Sequence, residues 1–252
     1  MWFSGSLAEL LFAECVRACK PELREAVVER TEPGGHRLAS MGKSAIRYER
    51  ADFGTYHHST PEESREIRER AGEAFSGLLK PLYPLGAPLR IMDAGCGLGF
   101  LAYIAAECFP KAVVTGVDLF KHGSISGISV DKAAQNMKSL GLESRTSFLK
   151  HDLTKPFEAD GQYDLVISNL VFHNLGKQRF KGYRTVLDVL KPGGFFVIGD
   201  LFRRGKGDVD SLLESSTLIA TREEGSSGPW EYQILVLRKH IRRTSKSSRQ
   251  SA

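Results

Sequence analysis

Apolar positions along this chain change period repeatedly, and each change marks an element. From residue 89 onward, short apolar runs at 89–92, 112–117, 163–168 and 195–199 read as strands, and 146–150 reads as a further one. Between them, residues 100–109, 129–140 and 178–190 place their apolar side chains at helical spacing. Strands alternating with helices predict a mostly parallel sheet with right-handed crossovers. Lys191, Pro192, Gly193 and Gly194 form a turn into the fifth strand. Two later runs, 216–221 and 232–239, flank a loop holding Gly225, Gly228 and Pro229, a connection that suits an antiparallel hairpin at the sheet edge. Upstream, residues 5–30 read as helical with an interruption at Pro21, followed by a turn at 31–35. A further helix starts at Ser59-Thr60-Pro61-Glu62-Glu63 and runs to about Lys80. Its start combines a hydroxyl cap, an early proline and acids at the positive end of the dipole.

Composition narrows the setting. Of 252 residues, 41% are hydrophobic and 26% charged, as in an ordinary soluble globular protein. No apolar run approaches the ~18 residues of a membrane span. The apolar start lacks a basic leader region and runs into Glu9 and Glu14, so it reads as an amphipathic helix and not as a signal peptide. The four cysteines, at 15, 19, 96 and 108, make no disulfide framework, which points to a reducing cytoplasm. Cys15 and Cys19 lie one helical turn apart, but no second pair of Cys or His stands at ligand spacing, and no metal is expected. The formal charge of +5 comes from the end of the chain. Residues 238–252 hold six Lys or Arg and no acid, which leaves −1 for everything before them. The basic end reads as a solvated, disordered tail over residues 241–252.

The chemistry concentrates in Ile91-Met92-Asp93-Ala94-Gly95-Cys96-Gly97-Leu98-Gly99-Phe100-Leu101. A strand, three glycines at alternate positions and a helix make a seat for a charged small molecule. Glycine permits positive φ and close backbone approach, and the first N–H groups of a helix favour an anion. The dinucleotide fingerprint G-x-G-x-x-G would need a small residue at position 100, which is Phe100. The pattern is instead D-x-G-x-G-x-G from Asp93 to Gly99, and it resembles motif I of the class I S-adenosylmethionine-dependent methyltransferases. The element order over residues 62–239 is similar to that family's too.

The resemblance implies an α/β fold with a doubly wound, mostly parallel seven-stranded sheet, an antiparallel C-terminal hairpin and a helical N-terminal cap. It implies S-adenosylmethionine as cofactor, with Gly95, Cys96, Gly97, Leu98 and Gly99 around the methionine part. Asp93 would order the glycine loop and reach the cofactor's ammonium through water. Asp118 ends the second strand 21 residues after Gly97; an acid there can accept both ribose hydroxyls, with Leu119 and Phe120 packing on the adenine. Asp152 resembles the acid that meets the adenine amino group, with Leu153 beside the ring; its alternative is a loop cap. Asn169 would border the methionine part. Tyr56, in an aromatic segment placed where related enzymes carry a lid, offers a π-face to the sulfonium or packs in the core.

Ser168-Asn169-Leu170-Val171-Phe172-His173-Asn174 occupies the motif IV position without the prolines of enzymes that methylate base or glutamine amino groups. Its Phe-His-Asn resembles the loop of small-molecule methyltransferases such as those of quinone biosynthesis. His173 is the candidate catalytic residue, either a base for an acceptor hydroxyl or a group that only shapes the loop. Asp200 is a cap or a substrate contact. The stretch 120–128, with Lys121, His122 and Ser124, is longer than the family's usual link and suggests a lid or substrate contact. The chain therefore divides into a cap or lid region at 1–60, a methyltransferase domain at 61–240 and the tail. The expected activity is methyl transfer to a small molecule. An RNA or protein methyltransferase using the tail is one alternative, and a non-catalytic binding module of the same fold is another.

Overall fold

The computed structural model describes residues 49–57, 59–158, 162–205, 207–227 and 229–241. Most of the expected N-terminal cap, with Cys15 and Cys19, lies outside them, as does the basic tail from residue 242.

Seven strands form one sheet in the order β3-β2-β1-β4-β5-β7-β6. β1 (Arg90–Ala94), β2 (Val113–Asp118), β3 (Thr146–Lys150), β4 (Tyr163–Asn169) and β5 (Leu190–Arg203) run parallel. β6 (Ser216–Ser227) and β7 (Trp230–Lys239) close the edge as an antiparallel hairpin. The helices are α1 (Pro61–Leu79), α2 (Phe100–Cys108), α3 (Val130–Ser139), α4 (Arg179–Val189) and α5 (Asp208–Leu213), with short 3-10 turns at Glu143–Arg145 and Phe172–Gln178.

Side chains alternate across a strand, and here they feed two cores. Ile91, Leu165, Ile167 and Val197 pack under α1, α2 and α3. Met92, Val166, Phe196 and Ile198 pack against α4 and Leu212 of α5. This two-sided burial is why the central strands β1, β4 and β5 read as mostly apolar runs, whereas the edge strand β3 is largely exposed. α1 begins with the expected cap: Glu63 N–H donates to Thr60 Oγ1 at 3.2 Å, and Thr60 N–H donates back to Glu63 Oε2 at 2.8 Å. Ser129 caps α3 by accepting from Lys132 N–H at 3.1 Å.

Two expectations change. The turn at 191–194 lies inside β5: Tyr163 pairs with Leu190 and Leu165 with Phe195, so those residues bulge out opposite Asp164. The hairpin strands extend into the expected loop, to Ser227 and from Trp230, with register shifts between Leu218 and Ala220 and between Glu223 and Gly225. α5 is anchored by a contact no local pattern announces. Arg179 at the start of α4 donates through Nε and Nη2 to Asp208 in the first turn of α5, and Tyr183 donates to the same carboxylate at 3.2 Å. The order of strands reverses between β1 and β4. That is where a crevice opens at the carboxyl ends of an open parallel sheet.

Candidate active site

A cavity of about 330 Å³ occupies this crevice. Of the residues singled out from the sequence, Asp93, Gly95, Cys96, Gly97, Leu98, Asp118, Leu119, Asp152, Leu153, Asn169, Tyr56 and His173 all line it. Gly99 stands outside the lining. It takes φ +88° at the head of α2, and a Cβ there would meet Phe148 at 3.0 Å and Met137 at 3.2 Å. Its smallness serves helix-to-sheet packing.

The glycine loop is held from three directions. Gly95 and Cys96 both donate to Val117 O, at 2.7 and 3.2 Å. Gly97 N–H donates to Asp118 Oδ2 at 2.9 Å, while Phe120 N–H donates to Asp118 Oδ1 at 2.7 Å. Asp118 thus braces the loop as well as facing the cavity, and each carboxylate oxygen retains a lone pair for a ligand hydroxyl. From the other side, buried Asn136 on α3 donates to Leu98 O at 3.0 Å and to Asp52 O at 2.9 Å, and accepts from Asp52 N–H at 3.0 Å. Nothing in the local sequence marks Asn136, because its partners lie on distant segments.

Two buried groups sit beneath the loop. Asp93 Oδ2 has no hydrogen-bond partner, and burial, helped by the nearby Asp118 charge, pushes the carboxyl up to about 8. A buried, orphaned carboxyl oxygen on a cavity wall is costly unless a donor arrives. Burial likewise pushes the Cys96 thiol up, with the Asp93 and Asp118 charges adding, so the side chain stays a neutral thiol.

The His173 loop follows β4. His173 Nδ1 lies 2.5 Å from Asp200 Oδ1, and Asp200 Oδ2 accepts Phe172 N–H at 2.7 Å. Asp200, read from sequence as a cap or substrate contact, is therefore the partner that orients His173. Asn169 is fixed by Tyr232, whose hydroxyl donates to Asn169 Oδ1 at 2.7 Å. Asp152 Oδ1 takes both the N–H and the hydroxyl of Thr154, at 2.9 and 2.7 Å, and these bonds lower its pKa. It caps its loop while lining the cavity.

The long stretch after Asp118 is tied to the segment around Tyr56. Tyr56 bridges to Ile125, Ser126 N–H donates to Thr55 O at 3.1 Å, and His57 N–H donates to Ser124 O at 3.0 Å. Phe53, Tyr56 and His57 of the one segment and Ser124 and Ile125 of the other contribute to the cavity lining. Tyr56 reaches the cavity, and its ring carries the Arg68 guanidinium 5.3 Å from the centroid. One π-face is thus occupied by a protein cation. Among the described residues, no cluster of His, Cys, Asp or Glu is arranged to hold a metal ion, and no helix is long and apolar enough to cross a membrane.

The donor set fits the cofactor that the sequence implied: an orphaned acid for an ammonium, a paired acid for a ribose, and a glycine cradle between them. Comparison with known proteins agrees. A family model described as a methyltransferase domain matches residues 86–228, more than half of the chain. A malonyl-[acyl-carrier protein] O-methyltransferase of Bacillus cereus is 27% identical over 106 residues, covering 42% of this chain and 35% of that protein. The chain thus spans about a third of the length of this relative. A ubiquinone biosynthesis O-methyltransferase of Rhizobium johnstonii is 26% identical over 192 residues, covering 73% and 68% of the two chains. The crystal structure of geranyl diphosphate C-methyltransferase from Streptomyces coelicolor, in complex with Mg2+, geranyl diphosphate and S-adenosyl-L-homocysteine, superposes with a TM-score of 0.54. It is 14% identical and covers 74% of this chain and 86% of that one, which shows a shared fold. The chain belongs to the class I S-adenosylmethionine-dependent methyltransferases, and S-adenosylmethionine is the cofactor its site is built to hold.

Proposed function

We propose that this protein transfers the methyl group of S-adenosylmethionine to an oxygen nucleophile on a small molecule, with His173 taking the acceptor's proton. The carrying observation is the buried His173–Asp200 pair opening onto the same cavity as the glycine loop. Two of the curated relatives, the malonyl-[acyl-carrier protein] and ubiquinone biosynthesis enzymes, are O-methyltransferases by name, which supports an oxygen acceptor.

In this reading the bound cofactor supplies a methyl group on a sulfonium, already an activated electrophile. The chain's own residues do the rest. Asp118 holds the ribose hydroxyls, Asp93 receives the ammonium, and Asn169 and the glycine loop border the methionine end. Residues 53–57 and 124–126 cover the cavity and limit water entry, while His173, held by Asp200, accepts a proton from a hydroxyl placed before it. Because the leaving group is good, positioning supplies much of the rate, and the base adds about 10²- to 10⁴-fold.

The test has two stages. Calorimetry should show S-adenosylhomocysteine binding and no comparable binding of NAD. A screen with radiolabelled S-adenosylmethionine should then find methyl incorporation into small hydroxylated or carboxylic compounds. Incorporation into RNA alone, with binding that weakens steeply as salt rises, would defeat the small-molecule reading.

A further inference from the structure

Tyr232 lies on β7 and Asn169 ends β4, with β5 between them. Their hydrogen bond, Tyr232 hydroxyl to Asn169 Oδ1 at 2.7 Å, crosses β5 over Gly199, which pairs with Asn169 on one side and Ile234 on the other. The crossing requires glycine. A Cβ at Gly199 would stand 2.8 Å from both Asn169 Oδ1 and the Tyr232 oxygen, and 3.0 Å from Phe75 above them. Tyr232 is almost wholly buried, so its hydroxyl is committed inside the sheet.

With Oδ1 accepting from the Tyr232 hydroxyl, the other end of the Asn169 carboxamide is the N–H₂ group. Asn169 is half-buried and lines the cavity, so the end it offers there is the N–H₂ group. On the neighbouring strand, Asp93 offers the opposite function, a carboxyl oxygen without a partner. β1 and β4 are adjacent, Asp93 pairing with Ile167, and Ser168 Oγ donates to Ala94 O at 2.7 Å to lock the two strand ends together. An acceptor and a donor at adjoining strand ends complement a group that carries an ammonium and a carboxylate on one carbon.

We propose that Tyr232 is a positioning residue, fixing the Asn169 amide so that its N–H₂ donates to the carboxylate of the cofactor's amino-acid end. The proposal rests on the cofactor reading above. Asp93 and Asn169 then clamp the zwitterion from two strands, and the antiparallel hairpin, none of whose described residues lines the cavity, acts on the site across Gly199.

The experiment uses the full chain and two ligands, S-adenosylhomocysteine and 5′-methylthioadenosine, which keeps adenine, ribose and sulfur but lacks the amino-acid end. Calorimetry on Tyr232→Phe should show S-adenosylhomocysteine weakened roughly 3- to 10-fold, the scale of one neutral hydrogen bond. Methylthioadenosine should bind as it does to the wild type. In an Asn169→Ala background, adding Tyr232→Phe should change neither affinity further, because the residue acts through Asn169. Equal weakening of both ligands, additive losses in the double variant, or no loss in Tyr232→Phe would each overturn the inference while leaving the cofactor assignment standing. Failure of the wild type to bind S-adenosylhomocysteine would overturn both.

Discussion

His173 donates through Nδ1 to Asp200 Oδ1 at 2.5 Å, and that same oxygen accepts the backbone N–H of Leu201 at 2.7 Å. With Phe172 N–H on the other oxygen, the carboxylate is pinned on the main chain and the imidazole is pinned on the carboxylate. Placing the proton on Nδ1 makes Nε2 the basic nitrogen, the tautomer a proton acceptor needs.

His173→Ala should lower kcat by about 10²- to 10⁴-fold and leave S-adenosylhomocysteine affinity nearly unchanged. Part of the loss should return at higher pH, where more of an acceptor hydroxyl ionises unaided. Asp200→Asn offers an amide N–H to Nδ1 and so favours the other tautomer; a comparable fall in kcat is expected. Steady-state kinetics that show KM for the acceptor rising at unchanged kcat in both variants would make His173 a binding residue.

Asp93 makes affinity depend on pH. Burial raises its pKa from 3.8 to about 8, so the folded protein without cofactor holds a proton that the unfolded chain has lost across that interval. The contribution to stability is fully present below the unfolded value and disappears as pH rises through about 8. An ammonium favours the ionised form, so binding should release a proton below that pH, and affinity should rise toward it. Calorimetry in buffers of different ionisation enthalpy counts the proton. Asp93→Asn should abolish the release, and its melting temperature should gain on the wild type as pH increases.

Asp118→Ala removes the ribose contacts and the anchor for Gly97 and Phe120 together. Loss of two charge-assisted hydrogen bonds should cost about 2 to 4 kcal/mol of S-adenosylhomocysteine binding. Unchanged affinity by calorimetry would remove Asp118 from the ribose site.

The glycines of the loop should differ in their tolerance of alanine. A Cβ at Gly95, where φ is +77°, would lie 2.2 Å from Val171 Cγ2 on the His173 loop, so Gly95→Ala should cost about 2 to 5 kcal/mol of stability. At Gly97, φ is +53° and a Cβ would meet only Ile125 Cδ1, at 3.1 Å, so alanine there should cost about 1 to 2 kcal/mol. Urea denaturation separates the two. Val171→Ala should restore part of the Gly95→Ala loss, leaving the backbone strain, whereas equal costs at both positions would mean that the loop repacks freely.

The chain's own pattern was enough to place the parallel strands, the helices between them and the glycine loop. Each depends on a local property: apolar period, a Thr60-to-Glu63 cap, or glycines where the backbone turns at positive φ. The acids and the amide at the strand ends, Asp93, Asp118, Asp152 and Asn169, were legible for a related reason. In a parallel sheet every carboxyl end points to the same side, so position in sequence already gives position in the site. What only the tertiary structure decided was pairing between segments far apart in sequence. Asp200 became the partner of His173 because β5 lies beside β4, Asn136 came to brace Leu98 from another helix, and Tyr232 reached Asn169 across Gly199. Strand order and side-chain direction create these contacts. No local pattern carries them, since a buried hydrogen bond selects its partner by where two elements meet and not by what stands nearby in the chain.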